Sequence, residues 1–157
     1  MWYFAYGSNL NQHDLDKWCD GKGLPRLDLG KKKWVKATLH DFALVFDCVS
    51  IRRNCAAANI APASGQSVRG VAFELDDGEL EIIARKEGAP GTYVEKDVEV
   101  VRQDGSAVRA RTFCCRTGTE QKNKKPSVEY MDLIIEGATD YGLDESWIKE
   151  LGQTPTA

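Results

Sequence analysis

The chain has 157 residues, 42% of them apolar and 29% charged, and its 21 basic and 24 acidic side chains leave a formal net charge of −3. That mixture excludes a largely disordered protein, and the acidic balance excludes a general nucleic-acid binder, which works by neutralising many phosphates. A domain of this size buries roughly two thirds of the surface that its unfolded chain exposes, so a core can form without a metal or disulfide staple.

In chain order, Trp2–Tyr6 is aromatic-rich and reads as a short strand broken by Gly7-Ser8. Asn11 caps a helix that runs to about Cys19, and residues 20–30, with three glycines and a proline, read as loop. Trp34–Leu39 and Phe42–Cys48 read as two strands around His40-Asp41, followed by an apolar run over Cys55–Ala61, a turn at 63–66 and a strand over Val68–Leu75. Asp76-Asp77 starts a helix that reaches Glu87 and stops at Gly88 and Pro90. Gly91–Val101 and Ala107–Cys115 form a hairpin across Gln103-Asp104-Gly105. After a polar loop, Ser127 caps a helix to about Ala138, and Ser146–Leu151 forms a last short helix. One domain over residues 1–152 and a loose tail over 153–157 are expected. Strands outnumber helices without βαβ alternation, which predicts a mixed α+β domain whose sheet curls towards a barrel flanked by helices.

No apolar run approaches the length of a membrane span, and Met1-Trp2-Tyr3-Phe4 lacks the charged start and long apolar stretch of a secretion signal. A cytoplasmic location and no membrane partner are therefore expected. The five cysteines, Cys19, Cys48, Cys55, Cys114 and Cys115, contain no C-x-x-C, and only His13 and His40 are available beside them. Reduced thiols are the expectation, with no metal and no cofactor. His13 and His40 read as solvated helix and turn residues.

Two features carry candidate chemistry. Tyr6-Gly7-Ser8-Asn9-Leu10 lies between a buried strand and a helix start, where glycine lets backbone approach a ligand and consecutive N–H groups can cradle an anion. The same residues also read simply as a turn and cap. On the next predicted helix, Leu80, Ile83, Ala84 and Glu87 share the core-facing stripe. Partial burial and the negative helix end both disfavour the charged form of Glu87, which tunes a carboxylate for acid–base work near neutral pH. Its structural alternative is a side chain that swings to water or pairs with Arg85 or Lys86.

With these residues in hand, Phe4-Ala5-Tyr6-Gly7-Ser8-Asn9-Leu10, Glu87-Gly88 followed by Gly91 and Tyr93, and Pro126-Ser127 with Tyr130 resemble the gamma-glutamylcyclotransferase family, over roughly residues 3–145. The resemblance implies a small mixed β-barrel with flanking helices. It implies intramolecular aminolysis of a small-molecule gamma-glutamyl amide, releasing 5-oxoproline and an amine or amino acid. Glu87 would shuttle the proton, Tyr6, Gly7, Ser8, Asn9 and Leu10 would hold the glutamyl group, and Tyr93 and Tyr130 would line the pocket. Five residues separate Glu87 from Tyr93, one fewer than the family pattern, and strict alternation groups Tyr93 with Glu95, Asp97 and Glu99 on a wet face. A bulge near Gly91 would re-aim it. Two other readings stay open: deprotection of a gamma-glutamylated biosynthetic or carrier-bound intermediate by the same chemistry, and a binding module without turnover. The leaving amine and the oligomeric state are not legible.

Overall fold

A computed structural model describes residues 1–157. Five strands close a barrel: β1 (Trp2–Ala5), β2 (Trp34–Ser50), β3 (Cys55–Glu74), β4 (Tyr93–Arg102) and β5 (Ala107–Cys115), in the order β1-β3-β2-β4-β5. β1 runs antiparallel to β3 and parallel to β5, which makes the barrel mixed. Four helices flank it: α1 (Gln12–Gly21), α2 (Asp77–Glu87), α3 (Val128–Asp140) and α4 (Glu145–Gly152). None of them is long and apolar enough to cross a membrane.

β1 is short, yet it sits between two partners, so Tyr3, Phe4 and Ala5 are all buried and serve as the barrel's inner seam. Phe4, Val71, Phe73, Val100 and Ile83 are fully enclosed around it. The one polar side chain fully buried there, Thr112, donates its hydroxyl to the Phe4 carbonyl at 2.8 Å, which removes the cost of an unpaired group.

Two sequence expectations about strands are corrected. The segments on either side of His40-Asp41 are one strand, β2, and the run, turn and strand over residues 55–75 are one strand, β3. Asp41 takes a left-handed φ of 64°, and its carboxylate accepts from the Gly65 N–H at 3.0 Å, where Gly65 has φ 81°. The ladder shifts register there, passing from His40↔Ser67 to Phe42↔Pro62. The polar residues that read as chain breaks are thus an irregularity inside a continuous hairpin.

The expectation of five reduced thiols is also corrected, because Cys48 and Cys115 are joined by a disulfide, with Cα atoms 5.7 Å apart. The two lie 67 positions apart in sequence, and only barrel closure brings β2 to the end of β5. Cys19, Cys55 and Cys114 are free. At the other end of the chain, the Ala157 N–H donates to the Pro126 carbonyl at 3.0 Å.

The turn after β1 is held by α3. Ser8–Leu10 form a 3₁₀ turn, and Asn11 then caps α1 by accepting from the Asp14 N–H at 3.0 Å while donating to the Leu133 carbonyl at 3.2 Å. Gly137 on α3 lets the helix approach closely, since a Cβ there would lie 2.5 Å from the Leu10 carbonyl carbon and oxygen. Gly137→Ala should therefore push the turn off α3 and destabilise the protein by about 1–3 kcal/mol, the usual cost of overpacking. Thermal denaturation measures this; an unchanged Tm would mean that the contact is not constrained.

Candidate functional site

The site forms where the end of β1, the C-terminus of α2 and the β2–β3 hairpin meet. α2 starts in a reciprocal capping box, with the Glu79 N–H on the Asp76 carboxylate at 2.8 Å and the Asp76 N–H on the Glu79 carboxylate at 3.0 Å. It stops at Gly88, whose φ of 69° is the left-handed conformation that glycine adopts without penalty. Between these limits Leu80 and Ile83 are buried, and Glu87 continues their stripe in the last helical position.

Glu87 reaches the glycine turn, accepting from the Asn9 side-chain amide at 2.6 Å. The same NH₂ donates to the Tyr3 hydroxyl at 3.0 Å, and the Asn9 carbonyl oxygen accepts from Lys86 Nζ at 2.7 Å. The Lys86 side chain is only 2% exposed and pairs with Asp14 at 3.1 Å. Asp14 also binds Arg53 at 2.7 Å, and Arg53 extends to the Ser8 hydroxyl at 3.4 Å and lies over the Tyr130 ring. Two carboxylates and two cations thus alternate through one amide.

Burial raises the Glu87 pKa above its ordinary value, although Lys86, Arg53 and the Asn9 hydrogen bond pull it down. Burial lowers that of Lys86 despite the attraction of Asp14 and Glu87. For Asp14 burial works against ionisation, but Lys86 and Arg53 outweigh it and the pKa falls. The surroundings thus favour the anion at Asp14 and the protonated form at Glu87.

Tyr3, Tyr6, Gly7, Ser8, Asn9, Ala58, Glu87, Tyr93 and Tyr130 surround a narrow chamber of about 30 Å³. Ser8, Glu87, Tyr93 and Tyr130 also line a wider cavity of about 260 Å³ that opens outwards. Tyr6 donates to the Phe113 carbonyl at 2.6 Å and Tyr93 to the Ala58 carbonyl at 2.6 Å, so both phenol protons are committed to backbone. Tyr130 instead accepts from the Ala58 N–H at 2.9 Å, which leaves its own proton free to donate. Burial pushes the Tyr6, Tyr93 and Tyr130 phenols above their ordinary pKa, so all three stay neutral. A Cβ on Gly7 would lie 3.4 Å from the Ala58 Cβ and 3.9 Å from the Tyr130 hydroxyl.

The structure brings together Tyr6, Gly7, Ser8, Asn9, Glu87, Tyr93 and Tyr130. Leu10 is the exception: it is 2% exposed, belongs to the core and packs on Gly137 without lining the chamber. The reason is the 3₁₀ turn, which directs residues 7–9 to one side and Leu10 to α3. Tyr93 is buried without any bulge, because the ladder Tyr93↔Cys115, Val94↔Cys114, Glu95↔Phe113 is regular and β3 covers the phenol at Ala58. Sequence reasoning missed Tyr3, Asp14, Arg53 and Lys86. Lys86 had a signal, since it follows the buried Ile83 by three residues and so flanks the core stripe. Arg53 had none, because it comes from the tip of the β2–β3 hairpin. No cluster of three or more His, Cys, Asp or Glu is assembled to hold a metal.

The AIG2-like family profile matches residues 67–151, more than half of the chain. The chain belongs to the AIG2-like family. The matched segment of this AIG2-like protein includes Glu87, Tyr93 and Tyr130. Among solved structures it is similar to a gamma-glutamyl cyclotransferase, with a TM-score of 0.84 and 24% identity over 100% of this chain and 89% of that one. It is similar to an uncharacterized protein from Homo sapiens, with a TM-score of 0.81 and 25% identity over 99% of this chain and 88% of that one. It is also similar to YkqA from Bacillus subtilis, with a TM-score of 0.81 and 19% identity over 100% of this chain and 56% of that one. No curated protein matches the sequence. These likenesses give the AIG2-like chain the gamma-glutamylcyclotransferase fold.

The relay makes a direct physical prediction. Lys86→Met removes the cation that fixes the Asn9 amide and leaves Asp14 paired with Arg53, so the Glu87 pKa should rise further. NMR titration of the labelled carboxyl group measures it. A pKa that stays put or falls would mean that Lys86 exerts no field on Glu87.

Proposed function

We propose that the protein is a gamma-glutamyl cyclotransferase that converts a gamma-glutamyl amide into 5-oxoproline and a free amine. The observation that carries this reading is the half-buried Glu87 carboxylate, tied to the glycine turn through Asn9 and standing between the narrow chamber and the open cavity. The fold shared with a gamma-glutamyl cyclotransferase supports it.

In this reaction the substrate supplies its own nucleophile. The alpha-amine attacks the gamma-carbonyl carbon, a new C–N bond closes the five-membered lactam, and the C–N bond to the leaving amine breaks. The two products together contain all the atoms of the substrate, so no water is consumed. Two protons must leave the attacking nitrogen, which is an ammonium at neutral pH, and two must reach the departing one. A carboxylate between the nitrogens relays them in turn, and burial keeps its proton affinity high enough to give as well as take. The amides of Gly7, Ser8 and Asn9 would face the oxyanion; one aimed donor is worth on the order of 3 kcal/mol. Tyr6, Tyr93 and Tyr130 would hold the folded conformer that brings amine to carbonyl, which is an entropic gain. Tyr130, with its free proton, is the phenol able to donate to the substrate.

Glu87→Gln keeps an oxygen for the Asn9 amide but cannot carry protons. It should lower kcat by at least about a hundredfold with KM little changed, measured as 5-oxoproline by mass spectrometry. In the wild type, kcat/KM should rise as pH rises through the Glu87 pKa, because the ionised form takes the first proton. That acidic limb should lie above the ordinary range for glutamate. Near-normal turnover in Glu87→Gln removes the carboxylate from the mechanism. Gly7→Val should raise KM by at least tenfold, as its branches enter the chamber beside Ala58 and Tyr130. A folded Gly7→Val variant with unchanged KM would detach the turn from substrate binding.

A further inference from the structure

The wider cavity beside Glu87 has a charge opposite to that of the protein. Its lining carries five cationic side chains, Lys22, Arg52, Arg53, Arg85 and Lys86, and one carboxylate, Glu87, although the whole chain is at −3. Two of the five are neutralised from behind, since Arg53 and Lys86 both pair with Asp14. The other three have no carboxylate partner, and they arrive from separate elements: Lys22 from the end of α1, Arg52 from the β2–β3 turn and Arg85 from α2. The cations of a second cleft are each held by a hydrogen bond or an ion pair within the protein, which the side chains of Lys22, Arg52 and Arg85 are not. In the cleft lined by Lys36, Arg69 and Arg102, Lys36 donates to the Gly142 carbonyl, Arg69 pairs with Asp144, and Arg102 donates to the Ser106 hydroxyl.

The three cations are exposed to solvent and project from three different elements onto one cavity. An anionic group seated among them gains charge-assisted hydrogen bonds, two at once where a carboxylate meets a guanidinium fork. With the glutamyl group held at the glycine turn beside Glu87, the portion beyond the scissile amide would extend into this cavity, which Ser8, Glu87, Tyr93 and Tyr130 also line. A space of about 260 Å³ takes a group of amino-acid size.

We infer that the cavity is the leaving-group subsite and that its free cations select gamma-glutamyl conjugates of dicarboxylic amino acids over those of neutral amines. The inference rests on the cyclotransferase reading for its chemistry, and on the cavity for its selectivity. One carboxylate would meet one guanidinium, whereas two carboxylates would engage Arg52 and Arg85 together.

The test compares gamma-glutamyl-aspartate, gamma-glutamyl-alanine and gamma-glutamyl-ethylamide. In the wild type, kcat/KM should fall in that order, and the advantage of the aspartate conjugate should shrink as salt shortens the Debye length from about 30 Å at 0.01 M to about 10 Å at 0.1 M. Arg52→Gln/Arg85→Gln should reduce the aspartate-to-ethylamide ratio at least tenfold. Neither arginine makes an ion pair in the protein, so the double variant should keep its fold, checked by Tm. Equal kcat/KM for the three substrates, or a ratio that the double variant leaves intact, overturns the subsite. Calorimetric binding of the same three compounds to Glu87→Gln, which does not depend on turnover, separates the two claims. The aspartate conjugate should bind at least tenfold more tightly than the ethylamide, and equal affinity overturns the subsite. Absence of 5-oxoproline from every wild-type reaction would instead sink the cyclotransferase reading while the binding order still decided the subsite.

Discussion

The Asn9 side-chain amide has one orientation because a cation and an anion grip its two ends. Lys86 faces its carbonyl oxygen, and Glu87 with the Tyr3 hydroxyl faces its NH₂. Turning the amide over would aim oxygen at a carboxylate and nitrogen at an ammonium, and both contacts would repel. A small polar residue therefore fixes the direction of the Glu87 carboxylate. Enclosing a charge costs several kcal/mol, and leaving it without a partner costs more. Here Asp14, Arg53, Lys86 and Glu87 sum to zero, so the interior holds four ionisable groups without a net charge.

That relay exists only because the barrel closes. Asn9 follows β1, Lys86 and Glu87 end α2, Asp14 opens α1, and Arg53 stands at the tip of β2–β3. β3 then contributes more than a wall. The backbone of Ala58 gives its N–H to Tyr130 and its carbonyl to Tyr93, which sets two phenols at fixed angles around the glycine turn. Gly137 lets α3 press on Leu10 and so holds the turn from behind. Loop residues and rigid elements share the work: the turn offers backbone, and the surrounding strands and helices decide where it points.

The fold is common to proteins that share about a quarter or less of their residues with this chain. A fold of this kind positions chemistry without naming a substrate. In the proposed reaction the parts nearest the scissile amide, the acid and the turn, would serve any gamma-glutamyl compound. Selectivity would fall to the outer cavity, where Lys22, Arg52 and Arg85 come from the margins of elements and have no carboxylate partner.

Much of this was legible in the residues. Capping at Asn11, Asp76 and Ser127 fixed three helix starts, because a short polar side chain satisfies free N–H groups locally. The stripe Leu80, Ile83, Glu87 announced an acid turned inwards, since helical periodicity is a local property. The Gly7 turn and the aromatic strand before it could be read for the same reason. Leu10 was misassigned because a 3₁₀ turn splits neighbours between two environments, and Tyr93 read as wet because alternation says nothing about what covers a strand's end. The bent hairpin read as separate strands, because Asp41 and Gly65 look like breaks until they bond to each other across the ladder. Arg53, Asp14 and Tyr3 joining one relay, Cys48 meeting Cys115, and three cations around one cavity were decided by tertiary structure alone. Each depends on segments far apart in the chain, and a sequence specifies such meetings only through the closed barrel that produces them.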